Sequence, residues 1–365
     1  LKLRWRIAQA FPSSHLSPAP STPCRWWNSS AAAHGIVLRD DRKDERALSL
    51  GERCELKKGG SGMKAEAMLS RARHIALFGL LLLTGWSGWT AWREWHPEAR
   101  FAFVNVGQGK CLLVIAPNGR TLMIDGGSHA YGEDYRGAEV AERTILPVLR
   151  RLGVHRLDAV LVTHPHDDHC NALPAVVQAF PPTLFWQPIV SSMETGYLAL
   201  EAAIRQARAK VVRVRQGQKL WLDVRHGVVA EVLGPPDGMP ARSSPMDAND
   251  ASAVVKVRFG AVSLLATGDA GEQAQRWLLR SGMDLQATIL DVPHHGSRHV
   301  LPSFLRAVRP KVAVISSGRN NPFGHPAPET LAALQALNAT IWRTDAQGGL
   351  LVWTDGRHWR LSPLR

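Results

Sequence analysis

The segment His164-Pro165-His166-Asp167-Asp168-His169 sets imidazole and carboxylate groups at a spacing that suits two metal ions held side by side. His164 and His166, two apart on a tight turn, can grip one ion, while Asp168 and His169 face a second. Zinc or manganese accepts this mixed nitrogen and oxygen set, and paired divalent ions suit hydrolysis by clamping an oxyanion and activating water. The plain alternative is a solvated polar loop whose histidines are fortuitous.

Such ligands need a rigid element behind them. Residues 158–162, Asp-Ala-Val-Leu-Val, form a short apolar run rich in β-branched side chains, as in a buried parallel strand that delivers Thr163 and the ligands at its carboxyl end. Catalytic groups of α/β proteins commonly sit there. Further strands are expected at 101–106, 111–116, 121–125, 211–214, 228–233, 253–258, 261–266, 287–291, 311–315, 340–343 and 349–353. Helices are expected at 137–152, 172–179, 195–209, 270–281, 301–308 and 328–337. This alternation packs helices on sheet faces. In the first helix Pro147 is a disturbance unless a new helix starts there.

His-x-His-x-Asp-His after a strand resembles the signature of the metallo-β-lactamase superfamily. Phe103 to Gly109 is similar to the Val-Gly-Gln-Gly opening of the hydrolase domain of ComEC/Rec2-type DNA-internalisation competence proteins and their free-standing relatives. Met123-Ile124-Asp125-Gly126-Gly127 resembles the superfamily's first acidic motif. Thr267-Gly268-Asp269 stands where the family has a metal-bridging carboxylate, and Pro293-His294-His295-Gly296-Ser297 where it has a late histidine ligand. Asn320 to Pro326 is similar to its Asn-x-x-Gly-His-Pro segment. The resemblance covers roughly residues 100–360.

It implies a four-layer αββα sandwich with the site at the edge between two sheets. Two divalent ions, Zn or Mn, would be held by His164, His166, Asp168, His169, Asp269 and one of His294 and His295. In the same reading Asp168 or Asp269 orients the nucleophile, and His325 donates a hydrogen bond or a proton to a phosphate. Ser297 and Asn321 line the pocket, while Asp125, Asn249 and Ser252 support it from behind. Taken singly, Asp125-Gly126-Gly127 reads equally as a hairpin turn in which glycine supplies positive φ. His325 alone reads equally as an ordinary loop histidine.

Two departures from the family pattern matter. Between residues 170 and 268 the only histidine is His226, in a Val-Arg-His-Gly stretch that reads as a hairpin turn, so a third histidine for the first metal is lacking. Lys110 stands where the opening motif usually continues with aspartate. A lysine near two cations is repelled unless a phosphate lies between them, so Lys110 is read as a phosphate contact or, by preference, a solvated strand end.

Residues 75–92 carry no charge and approach the hydrocarbon thickness of a bilayer. Trp86, Trp89, Trp92 and Trp95 suit a membrane interface, and Lys64, Arg71 and Arg73 favour the cytoplasmic side. A single-pass bacterial membrane anchor with the catalytic domain outside the cytoplasm is expected; a cleaved leader on a secreted protein and a buried helix are the alternatives. Residues 1–62 are expected to be disordered or not translated. Lys57-Lys58-Gly59-Gly60 suits purine-rich codons ahead of a start at Met63. Residues 63–96 then form leader and anchor, and 97–365 the hydrolase domain.

The whole chain carries +13, but residues 97–365 hold 29 Lys and Arg against 23 Asp and Glu, hence +6. That balance tolerates a polyanion without marking a nucleic-acid track. Cys111 and Cys170 leave a disulfide open. Three function classes remain. The first is a phosphodiesterase or nuclease linked to DNA uptake, with DNA as substrate and a separate channel protein as partner. The second is a surface hydrolase of a small phosphoester, lactone or lactam. The third is a non-catalytic metal-binding subunit of an uptake machine.

Overall fold

The computed structural model describes residues 50–128, 137–187, 190, 192–236 and 245–364. The chain divides into two units, Leu1–Leu80 and Leu81–Arg365. The described residues of the first are helical and belong to a helix that runs from Leu50 to Trp95. Within it, Glu66–Trp92 is long and apolar enough to cross a membrane by length and composition. Ile75, Leu81, Leu83 and Trp86 on this stretch are exposed. The helix includes residues 50–62. Glu52, Glu55, Leu56, Lys57 and Lys58 are good helix formers, and extending an existing helix requires no new nucleus. The expectations for residues 1–49 lie outside the described residues.

In the second unit six strands come first: β1 (Ala99–Phe103), β2 (Leu112–Ile115), β3 (Thr121–Ile124), β4 (Ala159–Leu161), β5 (Leu184–Gln187) and β6 (Lys210–Arg213). Seven more form another sheet: β7 (Lys219–Asp223), β8 (Val228–Gly234), β9 (Val254–Phe259), β10 (Val262–Ala266), β11 (Ile289–Asp291), β12 (Val312–Ile315) and β13 (Thr340–Arg343). The last two, β14 (Gly349–Thr354) and β15 (Trp359–Leu364), return to the first. Its order is β15-β14-β1-β2-β3-β4-β5-β6, and that of the second sheet is β13-β12-β11-β10-β9-β8-β7. In both, antiparallel pairs give way to parallel ones: β3 to β6 run parallel, as do β10 to β13.

Side-chain alternation along the strands sorts the core into three layers of contact. Phe101, Phe103, Leu122 and Leu161 of the first sheet meet Ala230, Val257, Leu264 and Ile289 of the second in one inter-sheet core. On the outer face of the first sheet, Leu113, Met123 and Val160 pack on Ile145, Leu149, Val176 and Leu200 of helices. Leu265, Leu290 and Ala313 do the same with Leu278, Phe304 and Leu334 on the other side. The result is a helix-sheet-sheet-helix sandwich.

The helix expected at 137–152 is broken into α-helix, a π-helical turn at Ala141–Ile145, and α-helix again at Leu146–Arg151. Pro147 occupies the first turn of the last segment, where its missing N–H is tolerated, and the π turn before it relieves the clash that a continuous helix would meet. Ligand-bearing loops leave the carboxyl ends of β4, β10 and β11, all strands with parallel neighbours.

Candidate metal centre

Beyond β3, Asp125 adopts φ +58 and folds its carboxylate back on the loop after β4. One oxygen accepts the Thr163 N–H at 2.7 Å; the other accepts the Thr163 hydroxyl at 2.8 Å and His169 Nδ1–H at 2.8 Å. Asp125-Gly126-Gly127 is thus not a hairpin turn. The aspartate itself takes the left-handed conformation, and Gly127 is required by close approach: a Cβ there would lie 2.3 Å from the Asp167 carbonyl oxygen. After His166 the chain makes a one-turn helix, Asp167–Cys170. Glu194 accepts the Asp167 N–H at 2.9 Å, and Asp167 Oδ1 accepts the Gly196 N–H at 3.2 Å, which locks this turn to the start of the helix Thr195–Gln206.

The second sheet supplies the other half. Asp269 follows β10, its N–H donating to Ser252 Oγ at 3.3 Å. After β11, His294 and His295 both have positive φ (48 and 54), and this tight turn directs the His295 ring inward. Its Nδ1–H donates to the Ser316 carbonyl at 2.7 Å, at the end of neighbouring β12.

These loops bring one ligand atom each from Asp168, His169, Asp269 and His295 within 4.8 Å of one another. His169 Nε2 lies 3.1 Å from Asp269 Oδ1, and His295 Nε2 lies 3.1 Å from Asp168 Oδ2 and 3.4 Å from Asp269 Oδ2. Each ring spends its Nδ1 proton outward, on Asp125 or Ser316, so each Nε2 turns a lone pair toward a carboxylate oxygen. Two acceptors so placed repel unless a cation sits between them, either a proton or a metal ion.

Without metal, protons serve. Burial opposes charge on His295, but Asp269 and Asp168 push its pKa up to about 9. His169 is likewise raised against its burial by Asp269 and Asp125. Burial would raise Asp168 and Asp269, yet His169 and His295 hold both below the usual carboxylate range. His169 Nε2 and Asp269 Oδ1 remain buried without a hydrogen-bond partner. Two imidazole nitrogens and two carboxylates converging on one point fit a divalent ion.

Beside this cluster sits a second nitrogen pair: His164 Nε2 and His166 Nδ1 are 3.0 Å apart, and the His164 ring centroid lies 4.1 Å from that of His169. Burial and the neighbouring His169 lower the pKa of His164, leaving it a neutral donor of electrons. His226 is far from this role. It lies in the turn between β7 and β8, with Nδ1 2.8 Å from Asp223 Oδ2. Among the described residues no third His, Cys, Asp or Glu completes the His164–His166 pair as a cluster of its own.

Lys110 is neither solvated nor a phosphate contact; it is 2% exposed. Its Nζ donates to Gly268 O at 2.7 Å, Val292 O at 2.9 Å and Asp291 Oδ2 at 3.0 Å, so all three protons are used. A lysine in the β1–β2 loop of one sheet therefore fastens both ligand loops of the other, 3.9 Å from Asp269 Oδ1. Burying this cation is tolerable because Asp291 pairs with it. The sequence hides the arrangement, since nothing near Lys110 points to an aspartate 181 residues later. Gln108, from the same loop, accepts the Gly318 N–H at 2.9 Å.

At the mouth, His294 Nε2 stands 3.8 Å from Asp269 Oδ2, outside the four-donor cluster that contains His295. Burial, with His295 and His294 nearby, pushes His325 down to about 4, so it is neutral at pH 7 and suited to donate a hydrogen bond rather than act as a charged acid. The half-buried Asn321 amide is engaged by its own loop. That group donates to Gly318 O and His325 O and accepts the His325 N–H, holding the loop. Ser297 is buried, its Oγ accepting the His299 N–H. The Asn249 carbonyl accepts the Ser252 N–H, and its buried Oδ1 has no hydrogen-bond partner. Cys111 and Cys170 are unbonded, buried thiols, which removes the disulfide.

The model of the metallo-beta-lactamase superfamily matches residues 104–319, and the chain belongs to that superfamily. Within it the similarity runs to competence proteins. The chain is 27% identical over 260 residues to ComE operon protein 3 of Bacillus subtilis, covering 69% of this chain and 32% of that protein. To Competence protein ComA of Neisseria gonorrhoeae it is 28% identical over 285 residues, 78% of this chain and 36% of that protein. To Ribonuclease J of Mycobacterium tuberculosis it is 32% identical over 165 residues, 44% of this chain and 26% of that protein. The chain thus spans about a third of the length of the competence relatives.

Proposed function

We propose that this chain is a metal-dependent phosphodiesterase that cleaves nucleic acid, linked to DNA uptake and anchored in a bacterial membrane through the 66–92 helix. The observation that carries the catalytic part is the pair of facing acceptors at Asp269: His169 Nε2 at 3.1 Å and His295 Nε2 at 3.4 Å, each with its proton committed elsewhere. Phosphodiester as substrate is supported by the kinship to Ribonuclease J and to competence proteins.

His164, His166, Asp168, His169, Asp269 and His295 would hold two divalent ions, Zn or Mn. Metal bound there supplies Lewis acidity and a lowered pKa for water. The chain's own groups do the rest. Asp168 and Asp269 orient the water that attacks phosphorus, Asp125 and Ser316 fix the rings of His169 and His295, and Lys110 keeps the loops in register. Neutral His325 donates a hydrogen bond to a non-bridging phosphate oxygen; as the water oxygen bonds to phosphorus and the P–O ester bond breaks, the proton lost by the water passes through the Asp168 carboxylate to the departing alkoxide. The basic residues Lys64, Arg71 and Arg73 support an anchor with its amino terminus in the cytoplasm and the hydrolase domain outside.

Turnover by the full chain in detergent, with zinc or manganese, of single-stranded DNA, bis-p-nitrophenyl phosphate and a β-lactam tests this. Strand cleavage that Asp168→Ala abolishes is expected. Cleavage of the small substrates alone would replace the reading with a small-molecule hydrolase, and no turnover would leave a metal-binding subunit.

A further inference from the structure

The sheet ends opposite the ligand loops meet in one face. Ala99 at the start of β1 pairs with Thr354 at the end of β14, and Thr354 with Trp359 at the start of β15. The Ala261 N–H in the turn after β9 donates to Gly356 O in the turn after β14 at 2.7 Å. Asn118, in the turn after β2, gives its side-chain amide to Leu222 O at 2.8 Å and its backbone N–H to Asp223 Oδ2 at 3.1 Å, beside the β7–β8 turn. The chain enters the sheets at this face, since Ala99 follows Trp95, the last residue of the apolar helix, by four residues.

Arg120, Arg208, Lys210, Arg309, Lys311 and Arg357 are exposed at this end. The carboxylates near them are already engaged: Asp158 by Arg156, Asp284 by Lys256, Glu94 by Arg225, and Asp223 and Asp355 by His226 and His358 of their own turns. A cavity of about 350 Å³ at the starts of β10, β11 and β12 is lined by Lys256, Arg258, Ser263, Thr288, Arg309 and Lys311. Lys256 is buried and gives two ammonium protons to Asp284, to O at 3.0 Å and Oδ2 at 2.7 Å, which leaves a third for the cavity. Trp221, Val224 and Trp359 are exposed on the same rim.

We propose that this face docks on a layer of anionic phospholipid. Headgroup phosphates meet the cavity and the arginines around it, while Trp221, Val224 and Trp359 enter the interfacial layer. Tryptophan favours that depth, and each Lys or Arg near an anionic leaflet adds to the attraction. Nucleic acid suits the face less well, because the ligand loops lie past the far ends of the same strands; the five residues of β10 alone span about 17 Å. Docked in this way, the metal centre points away from the bilayer and stays open to substrate from solution. The inference rests on the anchor part of the proposed function and is independent of the hydrolase part.

Hydrogen–deuterium exchange of the full chain in phosphatidylcholine nanodiscs, with and without phosphatidylglycerol, tests this. In the anionic discs, peptides spanning the turns 117–120, 224–227, 309–311 and 355–358 should exchange at least roughly fivefold more slowly, the bias that one Lys or Arg near an anionic surface supplies. The ligand loops should exchange alike in both discs. The triple variant Arg120→Glu, Lys311→Glu, Arg357→Glu should lose the difference while exchanging like wild type in detergent, and about 1 M salt should remove it from the wild type. Equal exchange in both discs, or slowing that survives the triple substitution or the salt, overturns the proposal and spares the anchor reading; a chain that does not enter the discs overturns both. The same slowing produced in detergent by glycerol phosphate or by single-stranded DNA would also overturn it, assigning the face to a soluble phosphate or to nucleic acid.

Discussion

Asp125 and Asp269 follow corresponding strands on opposite sheets, β3 and β10, each beside a parallel strand whose loop carries histidines. Asp125 is saturated by the Thr163 N–H, the Thr163 hydroxyl and His169 Nδ1–H. Asp269 faces only ring nitrogens and, at 3.9 Å, the Lys110 ammonium, and its Oδ1 has no hydrogen-bond partner. Position in the fold is shared, but the surroundings divide the work. A carboxylate ringed by N–H and O–H groups holds structure, whereas one ringed by lone pairs awaits a cation.

Exchanging each for its amide should separate the two roles. Asp269→Asn should reduce turnover to background and abolish tight metal binding. Above about pH 9, where His295 has lost its extra proton, it should leave the metal-free fold near wild-type stability, because an Asn N–H can donate to the His295 lone pair. Asp125→Asn should do the opposite in part: it sets an amide against donors, costs about 3 kcal/mol in the metal-free protein, and weakens metal binding by roughly 10–100-fold through a loosened His169. Chemical denaturation of metal-stripped variants, beside metal titration, reads both.

A second exchange asks how the halves are joined. Lys110→Met leaves Asp291 buried and unpaired, and breaking a buried pair in this way costs about 3–5 kcal/mol. Its metal affinity should fall too, since the Gly268 and Val292 carbonyls lose their common donor. Lys110→Met with Asp291→Leu should recover most of the stability but not the metal affinity. Recovery of both would mean that Lys110 only balances Asp291.

The contrast between these carboxylates was only half legible in the sequence. His-x-His-x-Asp-His, Thr-Gly-Asp and Pro-His-His-Gly-Ser mark the residues that converge because each lies just past an apolar run, and strand ends are readable from hydrophobic pattern. Most strands around them follow the same pattern. Three do not: β5 is a four-residue run after Pro181-Pro182, β7 is partly exposed, and β15 carries Pro363 and polar residues at a sheet edge. Partners distant in the chain left no local trace. Ser316 behind His295, Glu194 on the Asp167 turn and Asp291 beneath Lys110 are set by packing between sheets and loops. The left-handed backbone of Asp125, His294 and His295 is equally silent, since these residues carry none of the glycine that announces such turns.

The smallest effect concerns pH. In the metal-stripped protein the His295 pKa is raised from 6.5 to about 9, so its contribution to stability is complete below about 6.5 and is lost as pH rises through 9. His169 acts in the same direction. The melting temperature of stripped protein should decline across that window, and saturating metal should flatten the profile. A stripped profile that is flat from pH 6.5 to 9 would mean that the facing lone pairs are not bridged by protons.

The central claim is that a divalent cation takes the position those protons hold. Titration calorimetry of the stripped chain with zinc or manganese, in two buffers of different ionisation enthalpy at pH 7.5, measures uptake and proton release together. Tight uptake with protons released, lost in Asp269→Asn, is the expected result. Uptake without proton release, or uptake unchanged in Asp269→Asn, would contradict the account.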